Sequence, residues 1–187
     1  MTGISKGPRC ALGVRAHSGW AAYVVLEGKA PDIVARGRME LCDGHKQPFH
    51  EAETMPFARA EKFVAECRAT AARLADEALK SIGPISGCCV LTASGKPLPG
   101  LVGILASHAL IHSAEGEFYR DAIAEACARA RVAVSRVRER DILLEAEHLA
   151  GWHERLVEFG KAVGPPWTQD EKLSALGAWL VLRARRR

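Results

Sequence analysis

The densest group of side chains that could do chemistry lies between residues 107 and 121. It holds two histidines four residues apart, followed by carboxylates and an arginine. On one helical turn His108 and His112 face the same way, and in an extended chain they also share a face. With Glu115 as a third ligand, they have a layout that suits zinc or another transition metal. The candidate cluster comprises His108, His112, Glu115, Glu117, Arg120 and Asp121.

A polar pocket without metal is the alternative for this cluster, and we favour it. The two histidines lack the glutamate of the zincin motif, and Glu115 and Glu117 suit the first turn of any helix. Either way, the cluster supports the hypothesis of an enzyme of unknown reaction, with a divalent metal as an optional cofactor.

A second candidate metal site lies in the loop from residue 42 to 50. Cys42, His45 and His50 offer three zinc-ligand types at short spacing. No fourth ligand follows nearby, although structural zinc normally has four protein ligands. We therefore interpret this segment as a surface loop and keep the zinc site as the weaker alternative.

Composition indicates one domain and narrows the choice of partners and of cellular compartment. The chain has 187 residues, 48% of them hydrophobic and 26% charged, which suits a single domain spanning 1–187 with loose ends at 1–8 and 184–187. The net charge of +4 permits an acidic partner. No apolar run is long enough to cross a membrane, and six cysteines without a C-x-x-C pair favour reduced thiols, so we expect a cytoplasmic protein without a membrane partner.

The hydrophobic periodicity predicts the elements that must position these residues. Strict alternation favours a three-strand meander, and apolar residues at spacings of three and four favour a long helix after it. The predicted strands are 10–14, 20–26, 33–41, 85–91 and 132–137. The predicted helices are 57–82, 101–107, 114–130 with Ser113 as its cap, 141–150, 152–162 and a last helix that begins with Thr168-Gln169-Asp170-Glu171.

The opening of the chain resembles a known superfamily. Leu12-Gly13-Val14 and the run from Gly19 to Val25 are similar to the first hairpin of ribonuclease H-like proteins of the Holliday-junction-resolvase kind. The predicted order β-β-β-α-β-α-β-α is also that of the ribonuclease H-like fold. We therefore predict an α/β domain with a ribonuclease H-like mixed sheet and helices on both of its faces.

The resemblance also implies where a metal site would lie. Nucleases of this superfamily hold divalent metal between carboxylates from the first strand, the end of the fourth strand and the start of the last helix. Here the first position is Arg15, the second reads Thr92-Ala93-Ser94, and only Asp170 and Glu171 match. A standard two-metal nuclease is therefore not expected, and we predict that Arg15 pairs with Asp170 or Glu171 in place of an ion. Both acids also suit an ordinary helix start, with Glu171 closing a capping box.

The leading hypothesis is a catalytically degenerate ribonuclease H-like protein that binds nucleic acid or a protein partner. The alternatives are the enzyme described above and a structural or homodimeric subunit without chemistry. Arg36 and Arg38, on the outer face of the third strand, are the candidates for phosphate contacts, although we favour the simpler interpretation of an exposed sheet face or of an edge protected by charge. Trp20 is assigned to the core.

Overall fold

The structure, a computed structural model, describes residues 9–93 and 97–184. The ends predicted to be loose, 1–8 and 185–187, and Ser94 lie outside these residues. Ala184, also predicted to be loose, is the last residue of the final helix. The strands are β1 Cys10–His17, β2 Trp20–Glu27, β3 Asp32–Glu40, β4 Gly87–Thr92 and β5 Ala133–Arg138. The helices are α1 Pro48–Ala52, α2 Phe57–Ile82, α3 Leu101–Leu105, α4 His108–Arg129, α5 Ile142–Ala146, α6 Trp152–Val163 and α7 Gln169–Ala184, with a 3-10 turn at Glu139–Asp141 before α5.

The five strands form one mixed sheet in the order β3-β2-β1-β4-β5. The three N-terminal strands pair antiparallel, while β4 is parallel to both β1 and β5. The predicted mixed sheet with helices on both faces is therefore confirmed. Because β1, β4 and β5 run the same way, their carboxyl ends meet at one edge.

Two apolar cores cover the two faces of this sheet. The even-numbered β1 residues Leu12 and Val14 pack with α2 and α4 in one core, and Ala11 packs against α7 in the other. Helix α7 lies so close to β1 that a side chain at Gly13 would meet the backbone of Ser174. This approach brings the start of α7 to the carboxyl end of β1.

Several predicted boundaries are wrong, and the helix predicted for 141–150 spans only Ile142–Ala146. Strand β1 continues to His17, so only Ser18 and Gly19 remain in the turn, and Gly19 at the second turn position has a φ of 84°, a left-handed conformation that glycine adopts readily. Helix α4 begins at His108 rather than after Ser113, whose hydroxyl donates to the carbonyl of Ala109 inside the helix. Polar residues on the exposed side of the first two turns obscured the buried Ile111 and Ala114.

Helix α1 was predicted as part of a loop. The helix has five residues and begins at Pro48, since proline suits the first helical position. The side chain of Phe49, its second residue, is buried in the core. All six cysteines are free thiols, as predicted. Among the described residues, none of the helices combines the length and the apolar character that crossing a membrane requires.

Candidate functional site at the carboxyl edge of the sheet

Four elements converge where the parallel strands end. Strand β1 contributes Arg15, and β5 leads directly into Glu139. Helix α7 begins at the same edge and contributes Asp170 in its first turn. Strand β4, which lies between β1 and β5, ends at Thr92. The resemblance to ribonuclease H-like nucleases implies metal-binding acids at this edge.

The guanidinium of Arg15 is the centre of this group. It donates to Glu139 through Nε at 3.0 Å and through Nη2 at 2.5 Å, a bidentate arrangement, and its Nη1 donates to Asp170. The second oxygen of Asp170 lies 3.2 Å from Nε2 of His17. The hydrogen bonds that Arg15 donates to Glu139 raise the pKa of Arg15 most, burial opposes this shift, and Asp170 adds to it. One cation thus holds two carboxylates from separate elements.

The other predicted partner of Arg15 is used differently. Glu171 closes the capping box with Thr168, accepting hydrogen bonds from its backbone N–H at 2.8 Å and its hydroxyl at 2.9 Å. Glu171 also accepts a 2.7 Å hydrogen bond from Arg36. The same arginine donates to the carbonyls of Val163 and Gly164, so it fastens the α6–α7 loop to β3. Arg36 is therefore engaged within the protein and does not present a free guanidinium to a phosphate.

The divalent metal of ribonuclease H-like nucleases does not fit these residues. Hard cations need clustered oxygen ligands, yet the two carboxylates at this edge already bind a guanidinium. Thr92 offers no carboxylate, and its hydroxyl contacts the carbonyl of Val137 instead. Glu139 and Asp170 are therefore paired with a cation of the chain itself.

Beside this ion-pair centre lies a stack of two aromatic rings and one guanidinium group. His17 and Trp20 are paired across the hairpin, and their rings stack at 4.3 Å with an interplanar angle of 14°. The guanidinium of Arg38 lies 4.1 Å from the centre of the Trp20 ring. Trp20 is half-buried in this stack, so its assignment to the core is wrong. Arg38 is 51% exposed and pairs with Glu40 at 2.5 Å.

The histidine cluster predicted from the sequence forms on the opposite face of the sheet, with one change. His108 and His112 lie on successive turns of α4, with their Nε2 atoms 3.1 Å apart. The third member is His50 from α1 rather than Glu115. Glu115 lies behind it, with Oε1 3.2 Å from Nδ1 of His50. Burial raises the pKa of Glu115, and hydrogen bonds from His50 and Phe49 oppose that shift.

The remaining members of that cluster connect α4 to the sheet. Arg120 is buried and donates to the carbonyl of Leu91 at 2.9 Å, and it pairs with Glu117 on its own helix. Asp121 and Glu117 both accept hydrogen bonds from Arg136 on β5. These three residues are therefore paired with each other or with the sheet and do not face the histidines.

The loop from 42 to 50 does not bring its three candidate ligands together. His45 contacts Glu51 at 2.6 Å, and the Cys42 thiol lies against Gly19. His50 turns to His108 and His112 instead. The proposed Cys42, His45 and His50 zinc site is wrong, because Pro48 starts a helix that separates the directions of the two histidines.

Sequence reasoning missed two residues of the edge site, Glu139 and His17. The parallel pairing of β4 with β5 would have placed the residue after β5 at this edge, but that pairing was not visible in the residues themselves. His17 was assigned to a turn. The contact of His50 with α4 joins segments that are distant in sequence, so no local pattern predicts it.

No family model matches the chain, and no curated protein matches it. Two solved structures of RuvC from Thermus thermophilus are similar to it. RuvC in complex with a Holliday junction substrate is 14% identical with a TM-score of 0.55, and the likeness covers 95% of each chain. A second RuvC structure is 13% identical with a TM-score of 0.50, over 94% of this chain and 95% of the other. At this identity the likeness shows the fold, and the predicted ribonuclease H-like fold is confirmed.

Proposed function

Because the chain has the ribonuclease H-like fold, we propose that it is a nucleic-acid-binding protein that lacks the metal-dependent cleavage of nucleases with this fold. The observation that carries the proposal is the position of Arg15. Its guanidinium binds Glu139 and Asp170 where such a nuclease needs oxygen ligands around a divalent cation. On this proposal the two carboxylates are occupied by a guanidinium and offer no open oxygen cluster to a divalent cation, so we expect binding without hydrolysis.

The stack beside Arg15 supplies the contacts for nucleic acid. Arg38 presents an exposed, planar cation that is held in place by the Trp20 ring, and such a cation binds a phosphate or stacks on a base. Glu40 competes for the same guanidinium. Arg38 should therefore strengthen binding, and Glu40 should oppose it.

Electrophoretic mobility shift tests this proposal with labelled single-stranded, duplex and four-way-junction DNA and with RNA, at low and moderate salt. We expect a shift with at least one probe that weakens steeply as salt rises, since phosphate contacts release counterions. Arg38→Ala should weaken binding and reduce the log–log salt slope by about 0.7–0.9, the value for one phosphate contact. Glu40→Gln should strengthen binding.

Arg73→Ala is the matched control. Arg73 is also an exposed arginine paired with a glutamate, but it lies on α2, on the opposite face of the sheet. It should leave the shift unchanged. The absence of any shift at low salt, or equal losses in Arg38→Ala and Arg73→Ala, would refute binding at this edge. Incubation of the four-way junction with Mg²⁺ or Mn²⁺ should leave it uncut, and specific cleavage would refute the loss of catalysis.

The leading hypothesis also included a protein partner, and a homodimeric subunit was an alternative. Sizing of the purified chain in solution, with and without the best nucleic-acid probe, separates these outcomes. A stable dimer that shifts no probe would favour the structural role.

A further inference from the structure

We propose that His50, His108 and His112 form a zinc site with three protein ligands and one open coordination position. The three imidazoles come from two elements, α1 and the first turns of α4, and one nitrogen of each lies within 4.8 Å of the others. This site is separate from the edge at Arg15, because it lies with α1 and α4 on the other face of the sheet.

The spacing of the nitrogens suits one metal ion. The Nε2 atoms of His108 and His112 are 3.1 Å apart. Two nitrogen ligands at a tetrahedral zinc ion are roughly 3.3 Å apart, given zinc–nitrogen distances near 2.0–2.1 Å. The ring of His50 lies 4.7 Å from that of His112 and 5.5 Å from that of His108. His108 and His112 are exposed, so their rings have room to turn toward a shared ion.

A carboxylate behind His50 orients that ring. Glu115 lies 3.2 Å from Nδ1 of His50, so this ring donates its Nδ1 proton to the carboxylate and keeps the lone pair of Nε2 for a metal. Histidines that bind metal characteristically donate their second nitrogen to a carboxylate in this way. Glu53 lies 3.9 Å from Nδ1 of His108, which is beyond hydrogen-bond distance, so its charge favours a cation at the cluster without fixing the ring of His108.

Glu115 gives an independent reason for a cation here. Its side chain is 5% exposed, its Oε1 accepts the backbone N–H groups of Phe49 and His50, and its Oε2 is buried without a hydrogen-bond partner among the described residues. A buried carboxylate is poorly compensated when one of its oxygens has no partner and the nearest group that can carry positive charge is an imidazole. A zinc ion on His50 adds positive charge to that ring and strengthens its hydrogen bond to Glu115.

The exposure of the site sets its chemistry. His108 and His112 are exposed and His50 is half-buried, so the fourth position opens to solvent. Zinc sites with three protein ligands hold water or a small anion in that position, in contrast to closed structural sites with four ligands.

Binding of zinc sulfate to tag-free, chelator-treated protein tests the proposal, measured by competition with a chromogenic chelator. We expect one zinc ion per chain, with an affinity that falls at least tenfold in His50→Ala and in His112→Ala. His148→Ala is the matched control, because His148 is an exposed histidine outside the cluster, and it should bind zinc like the parent. Co²⁺ in place of zinc should give the visible absorption of a four- or five-coordinate ion in the parent and not in His112→Ala.

Several results would overturn the site. One is substoichiometric zinc in the parent, and another is equal binding by His112→Ala and His148→Ala. Loss of binding in His112→Ala with full binding in a folded His50→Ala would leave only a two-histidine chelate on α4 and would refute the three-ligand site. If His50→Ala does not fold, as judged by circular dichroism without zinc, the zinc affinity of His112→Ala and the Co²⁺ spectrum of the parent decide whether the three-ligand site exists. None of these outcomes depends on nucleic-acid binding.

Discussion

Replacement of Arg15 by alanine is the most informative perturbation of the edge site. The substitution removes a cation that contacts Glu139, Asp170 and His17 at once. It leaves two carboxylates from different elements facing the space that the guanidinium occupied. Both the ion pairs and the link between β1, the end of β5 and α7 are then lost.

The expected cost follows from the burial of the group. The side chains of Arg15, Asp170 and Glu139 are 23%, 21% and 36% exposed. Exposed pairs contribute about 0–1 kcal/mol, and removal of one partner from a fully buried pair costs about 3–5 kcal/mol. For this partly exposed centre we expect a loss of about 2 kcal/mol. In a chain of this size, that corresponds to a fall in Tm of about 4–8 °C.

Thermal and urea unfolding, followed by circular dichroism, measure this loss. Arg73→Ala is again the control, because its exposed pair with Glu77 should cost less than about 0.5 kcal/mol. A double-mutant cycle with Asp170→Asn should show a coupling of about 1 kcal/mol.

Arg15→Asp adds a third carboxylate to the edge and should create a requirement for a divalent cation. Mg²⁺ or Mn²⁺ should then raise the Tm of Arg15→Asp while leaving that of the parent unchanged. If Arg15→Ala melts like the parent, or if Mg²⁺ stabilises both proteins equally, the guanidinium does not replace an ion and the reasoning fails.

Two further predictions concern the packing of the sheet and its thiols. Gly13→Ala should destabilise the protein by more than about 4 kcal/mol, because the added methyl group would overlap the Ser174 carbonyl and lie 2.7 Å from the Ala178 nitrogen. Gly100→Ala is the control and should be nearly neutral in the same unfolding assay, because a methyl group at Gly100 would meet no atom within 4 Å. Burial, followed by nearby carboxylates, raises the pKa of the Cys67 thiol to about 11. At pH 8 the alkylation of Cys67 by iodoacetamide should therefore be about tenfold slower than in the denatured chain, and it should accelerate as the pH rises toward that pKa. Equal alkylation rates in the folded and denatured states, measured by mass spectrometry, would contradict this prediction.

The order of the elements could be predicted from the sequence because each carries a local signal. Alternation in β3 and the spacing of apolar residues in α2 identify a strand and a helix without knowledge of their neighbours. The capping box of Thr168 and Glu171 likewise fixed the start of α7. Where polar residues interrupted the period, as at the start of α4, the prediction missed the boundary.

The members of both candidate sites are decided by contacts between distant segments. The type of residue at position 15 already argued against a metal, because a guanidinium has no lone pair to offer. Only the parallel pairing of β1, β4 and β5 brings Glu139 to that guanidinium, and only the packing of α1 against α4 brings His50 to His108. Local periodicity specifies the face that a side chain occupies, but hydrophobic packing is non-directional, so the assembled sheet and helices select which faces meet.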